Sequence, residues 1–145
     1  MTARGQALAT YAQIGAVDPA LAEYFPKWLD TMTDDVILEG SMFDGAIQGR
    51  DAVRNVVITI RACYERQQHK FAGETPAGFV ENYVAVVRGE PLGCVLLAIR
   101  NAAGKTERVV ASYRPRSALE LLSRILREKF AGLPYADQFA PAADK

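Results

Sequence analysis

The sequence predicts an α+β fold: helices first, a short hairpin, one long helix, an antiparallel sheet of longer strands, and an extra C-terminal helix. Three observations predict it. Residues 50–66 place apolar side chains at helical spacing. Residues 79–88, 92–100 and 106–114 are β-rich runs separated by turn residues. Within these runs, "YVAVV" and "CVLLAI" are apolar on both faces, whereas a sheet open to water on one side alternates. Both faces of this sheet therefore need cover.

Taken in order, residues 4–14 favour helix, with Leu8, Tyr11 and Ala12 on one face and Gly15 as the stop. Asp18 as N-cap and Pro19 at the first helical position start another. Leu21, Phe25, Trp28, Leu29 and Met32 continue at helical spacing; Pro26 interrupts them, giving two short helices or a kink. Val36–Glu39 is a short strand, Met42–Ile47 a second across the Gly40-Ser41 turn, and Gly49 closes the hairpin. From Arg50 to Arg66, Val53, Val56, Val57, Ile60, Cys63 and Tyr64 form an apolar stripe, while Arg54, Asn55, Arg61 and Glu65 face away. A strand near His69–Glu74 precedes the three longer ones, Phe79–Arg88, Leu92–Arg100 and Thr106–Arg114. Turns at Gly89-Glu90-Pro91 and 101–105 make these an antiparallel meander. Ser117 to Glu120 reads as a capping box opening the last helix, which Gly132 and Pro134 end. Residues 132–145 form a mobile tail in which Tyr135 and Phe139 are candidates to dock.

Composition bounds the function. The 145 residues suit one domain, residues 1–145, and 50% are apolar against 23% charged. Lys plus Arg equals Asp plus Glu at 17 each, which gives no electrostatic reason to expect nucleic acid or an anionic membrane. Two cysteines in apolar runs read as reduced, buried residues of a cytoplasmic protein. No run is apolar for the length of a membrane span, and the first residues lack the apolar stretch of a signal peptide. One histidine and no paired carboxylates at ligand spacing argue against a metal; the lack of a Gly-rich phosphate loop argues against a nucleotide, so no cofactor is expected.

"DDVILEG" followed by "IQGRDAV" is similar to the pattern of ketosteroid isomerases and SnoaL-like polyketide cyclases: Asp-Asp, a short strand, then Gly-Arg-acid-apolar. The order of elements also resembles the nuclear-transport-factor-2-like superfamily to which they belong, from the hairpin to the strand ending at Arg114. That resemblance implies a cone: a curved antiparallel sheet wrapped around the N-terminal helices and the long helix. It also implies an apolar cavity that holds a small hydrophobic molecule. The implied wall residues are Tyr11, Trp28, Leu38, Gly40, Val57, Tyr64, Tyr83, Leu96, Ala98 and Tyr113. Each aromatic among them has core packing as its alternative role.

The catalytic acids of the family do not carry over. Ketosteroid isomerases place a general-base aspartate directly after the glutamate of the first strand, and Gly40 stands there. Their second acid falls at Leu96 or Ala98, depending on register. Limonene-epoxide-hydrolase-like members carry Arg-x-Asp and Trp-x-Asp where this chain has Asn82-Tyr83-Val84 and Val110-Ala111-Ser112. Glu81 is the remaining catalytic candidate. On the concave face it is a lone carboxylate in an apolar cavity, suited to acid–base work; on the other it is solvated or paired with Arg88, Arg108 or Arg114. His69 follows the polar "ERQQ" and reads as a surface loop residue, as does Glu74. Asp34 and Asp35 fit turn chemistry. The expected function is a small-ligand protein of isomerase, cyclase or hydrolase type. The alternative is a non-catalytic binding or assembly module. The doubly apolar sheet adds a homodimer through its outer face.

Overall fold

The computed structural model describes residues 26–139. A 3-10 turn at Lys27–Asp30 leads into β1 (Met32–Gly40) and a two-residue β2 (Ile47–Gln48). There follow α1 (Arg50–Ala62), β3 (Arg66–Thr75), β4 (Gly78–Val87), β5 (Glu90–Arg100), β6 (Thr106–Arg114) and α2 (Arg116–Lys129), with a last 3-10 turn at Ala136–Gln138. The expected helices of residues 4–25, and Tyr11 with them, lie outside the described residues. Met32 belongs to β1 rather than to a helix, because the chain after Pro26 completes only one 3-10 turn.

The six strands run β2-β1-β6-β5-β4-β3 in one curved sheet. It is not wholly antiparallel: β1 pairs with β6 in parallel, which makes β6 an inner strand. The predicted hairpin shrinks, since Ser41–Gly45 form turns and only Ile47 and Gln48 pair back on β1. The β4–β5 turn falls at Arg88-Gly89, where both residues have positive φ (48° and 78°), so Glu90 and Pro91 already belong to β5. That is the geometry a two-residue hairpin prefers. Glu65 secures it, its Oε1 accepting from the Gly89 N–H at 2.6 Å.

α1 packs on β1 and β2, and α2 on β5 and β6, both over the concave face of the sheet. Val53, Val56 and Ile60 of α1 are buried there with Leu122, Ile125 and Leu126 of α2. Gly49, at φ 101°, makes the sharp entry to α1 that only glycine enters without strain. Arg50 pairs with Asp34, which ties the helix start to β1. α2 begins one residue before the expected capping box. Pro115 holds the N-cap position and its carbonyl accepts from Leu119 at 3.1 Å. The chain from 132 to 139 is docked: Phe139 is buried against Phe43 and Phe130, and Arg127 donates to the Phe139 carbonyl at 3.0 Å. The Tyr135 hydroxyl accepts from Asn55 Nδ2 at 2.7 Å.

Candidate functional site

Alternation along the strands sets the inner face. On β4, Glu81, Tyr83, Ala85 and Val87 point into the concavity, opposite Leu96, Cys94, Leu92 and Glu90 of β5. On β6, Ala111 and Tyr113 lie opposite Leu96 and Cys94. Glu81 therefore faces inward and is only 2% exposed. His69 is not a surface residue. It lies on β3 opposite Tyr83, buried, its ring 5.4 Å from the tyrosine ring. A bulge at Lys70 resets the alternation of β3: His69 faces in, Phe71 faces out, and Ala72 returns to the inside opposite Glu81. Glu74 is also on β3, paired with Arg100.

These residues meet at a hollow lined by Trp28, Leu38, Val57, Tyr64, His69, Glu81, Tyr83, Leu96 and Tyr113, with Arg61 and Gln67 on its polar side. Arg61, expected to face away, is thus part of the wall. The hollow gives about 30 Å³ to the centre of a water molecule, which is room for roughly two waters. Ala98 lines a separate, larger cleft. Gly40 lines neither; its partner across β1 and β6 is Ala111.

The polar groups in the hollow form two sets. In the first, His69 Nε2 stands 3.5 Å from Glu81 Oε2, too long for a good hydrogen bond, and Oε2 has no hydrogen-bond partner among the described residues. In the second, the Tyr64 and Tyr83 hydroxyls are 2.7 Å apart, and Tyr113 and the Cys94 thiol join them. Burial raises the pKa of all three tyrosines well above 10.0, and pushes the Cys94 thiol up to about 12. The tyrosines are consequently neutral donors at any physiological pH. Cys94 and Cys63 are free thiols. No group of three metal-ligating side chains occurs among the described residues, and no helix among them is long and apolar enough to cross a membrane.

Of the residues expected from sequence, Trp28, Leu38, Val57, Tyr64, Tyr83, Leu96 and Tyr113 share the hollow with Glu81. Sequence reading missed His69, Arg61 and Cys94. For Cys94 the signal was present, since it shares alternation with Leu96. For His69 it was not, because the bulge leaves no mark in composition.

No family model and no curated protein matches this chain. Solved structures do. An uncharacterised protein with a cystatin-like fold from Silicibacter pomeroyi aligns with TM-score 0.69 at 14% identity, over 78% of this chain and 83% of that one. A steroid delta-isomerase from Pseudomonas aeruginosa aligns with TM-score 0.65 at 16% identity, over 71% and 77%. An NTF-2 like protein of unknown function from Burkholderia xenovorans aligns with TM-score 0.51 at 15% identity, over 61% and 73%. At such identities it is the path of the backbone that is shared, and by that path this chain has the nuclear-transport-factor-2-like fold.

Proposed function

We propose that this chain binds a small, largely apolar cyclic molecule at the hollow and moves a proton beside a carbonyl on it, as an isomerase- or cyclase-type member of the SnoaL-like and ketosteroid-isomerase-like branch. The observation that carries this is Glu81: a buried carboxylate whose Oε2 has no hydrogen-bond partner among the described residues, two positions from Tyr83 on the same strand face. A buried carboxylate oxygen without a partner is costly, and a substrate C–H or O–H placed there gives it something to act on. Glu81 takes the proton as general base and returns it as general acid. Tyr83 and Tyr64, held neutral, donate to the oxygen on which charge develops. The steroid delta-isomerase likeness agrees with this class of chemistry.

The test is deuterium exchange at the carbons beside the carbonyl of 4-benzylcyclohexanone, followed by NMR. Glu81→Gln is expected to keep the fold and to slow exchange by about a hundredfold or more. Exchange that the wild type does not catalyse, or that Glu81→Gln leaves unchanged, overturns the proposal.

A second reading has its own support. A hollow of about 30 Å³ is far below the few hundred Å³ of ordinary ligand sites. A non-catalytic assembly module, with this hollow as a packing remnant, explains that size. We place the protein in the cytoplasm, in keeping with its two free thiols. We also infer a homodimer through the outer sheet face.

A further inference from the structure

The hollow is not the whole concave face. One step along the same strands, a cleft of about 490 Å³ is lined by Lys27, Trp28, Phe79, Ala98, Arg100 and Thr106. Phe79 and Ala98 are the inward residues that follow Glu81 and Leu96 on β4 and β5 and are themselves paired. The floor of the cleft therefore continues the floor of the hollow, about 7 Å further on. Among the described residues, Trp28 alone lines both spaces. It is 5% exposed, and its indole Nε1 is buried with no hydrogen-bond partner among the described residues. Buried indole N–H groups ordinarily find a partner. Here a donor without a hydrogen bond stands at the divide, as Glu81 Oε2, also without one among the described residues, stands at the inner end beside His69.

We propose that hollow and cleft are the two halves of one elongated ligand site, divided by Trp28, whose indole N–H donates to an acceptor oxygen in the middle of the ligand. The ligand class follows. It has a cyclic carbonyl head at Glu81 and the tyrosines, an oxygen linker such as an ether or ester at Trp28, and a second apolar ring over Phe79 and Ala98. The far end lies near the Glu74–Arg100 pair and Lys27, where it meets water. The chain gains in this way the ligand volume that the inner hollow lacks. The inference rests on the proton-transfer reading of Glu81 and adds to it what sets specificity.

The experiment compares 4-phenoxycyclohexanone with 4-benzylcyclohexanone, which differ by an ether oxygen in place of a methylene group. Trp28 is the only tryptophan, so its emission reports directly on occupancy of the divide. The ether is expected to bind the wild type about tenfold more tightly, the worth of one hydrogen bond to a buried, otherwise unpaired donor, with a shift in Trp28 emission. Trp28→Phe is expected to erase that preference, so that the two compounds bind the variant with equal affinity. Equal affinities for the two compounds in the wild type, an unchanged emission on saturation, or a preference that survives in Trp28→Phe each overturn the divided site. The first two need no variant to fold. If exchange of 4-benzylcyclohexanone depends on Glu81 and these results still fail, the proton-transfer reading stands and only the elongated site falls.

Discussion

A methyl group on Gly40 would lie 2.1 Å from the Ala111 carbonyl oxygen, and this decides what happens if the isomerases' aspartate is put back there. No side chain fits without parting β1 from β6, where Gly40 and Ala111 are paired. Gly40→Asp should therefore destabilise the fold by roughly 2–4 kcal/mol and restore no base; urea unfolding measures the first and the exchange assay the second. The tyrosines give a second prediction at this scale. Their folded pKa values lie above the unfolded value of 10.0, and that of Cys94 above 9.0. In a raised group the folded state keeps its proton after the unfolded state has lost it. The stability these four contribute is thus whole below pH 9 and falls as pH rises, first through the thiol between pH 9 and about 12. The tyrosines join from pH 10 upward. Each raised group steepens the fall by about 1.4 kcal/mol per pH unit. Urea midpoints between pH 8 and pH 11 should show this, with a shallower slope in Tyr83→Phe; a midpoint flat to pH 11 contradicts it. Much of this cluster was legible beforehand. Tyr64, Tyr83 and Glu81 could be placed on shared faces by period alone, but which face was inside could not, because β4 is apolar on both.

The β4–β5 hairpin shows why element boundaries were read less well than element identities. Gly89-Glu90-Pro91 looked like the turn because glycine and proline are strong breakers. The pairing of Val87 with Glu90 instead leaves Arg88 and Gly89 as the two turn residues, and Pro91 sits one step into β5, where it gives up one ladder donor. Arg88 adopts φ 48°, a left-handed conformation that costs an ordinary side chain roughly 1–2 kcal/mol. Arg88→Asn, which creates the Asn-Gly pair this turn type favours, should stabilise the protein by about 0.5–1 kcal/mol in thermal unfolding. A loss of stability would show that Arg88 makes a compensating contact. The bulge in β3 is the harder case. It adds one residue at Lys70 between pairs His69–Tyr83 and Phe71–Asn82, and so sends the histidine in and the phenylalanine out. Its cause lies in pairing with β4 rather than in the local sequence, which is why a polar stretch concealed a buried histidine. The early end of α1 at Ala62 and the Pro115 start of α2 are smaller instances of tertiary contacts overriding local signals.

At the scale of the whole molecule the question is what covers the outer side of the sheet. Both helices lie over the concave side; of the residues that point the other way, Gln68, Val84 and Val86 are buried, while others stay open. Phe71, Val95 and Leu97 are 53%, 38% and 41% exposed. Val95 and Leu97 are neighbours on β5, Leu97 between Val80 and Val110, and Phe71 lies two strands from Val95, across Asn82 of β4. Exposed apolar side chains of this kind on a sheet face mark an association surface. A polar pair lies among them, Arg114 donating to Asn82 at 3.0 Å, and Arg108 pairs with Glu39 at 2.7 Å toward the β1 edge. A stable pair needs about 800 Å² buried on each partner, an area within reach of four adjacent strands of nine to eleven residues. A second copy of the chain is the occupant we infer, because each face then supplies the apolar complement of the other about a two-fold axis. Light scattering should give twice the chain mass of 15.8 kDa. Leu97→Arg sets like charges facing each other across that axis and should reduce the mass to that of one chain, with the inner hollow intact. A wild type that is monomeric at micromolar concentration, or a Leu97→Arg variant that remains paired, would mean that the outer face is left to water or to another partner.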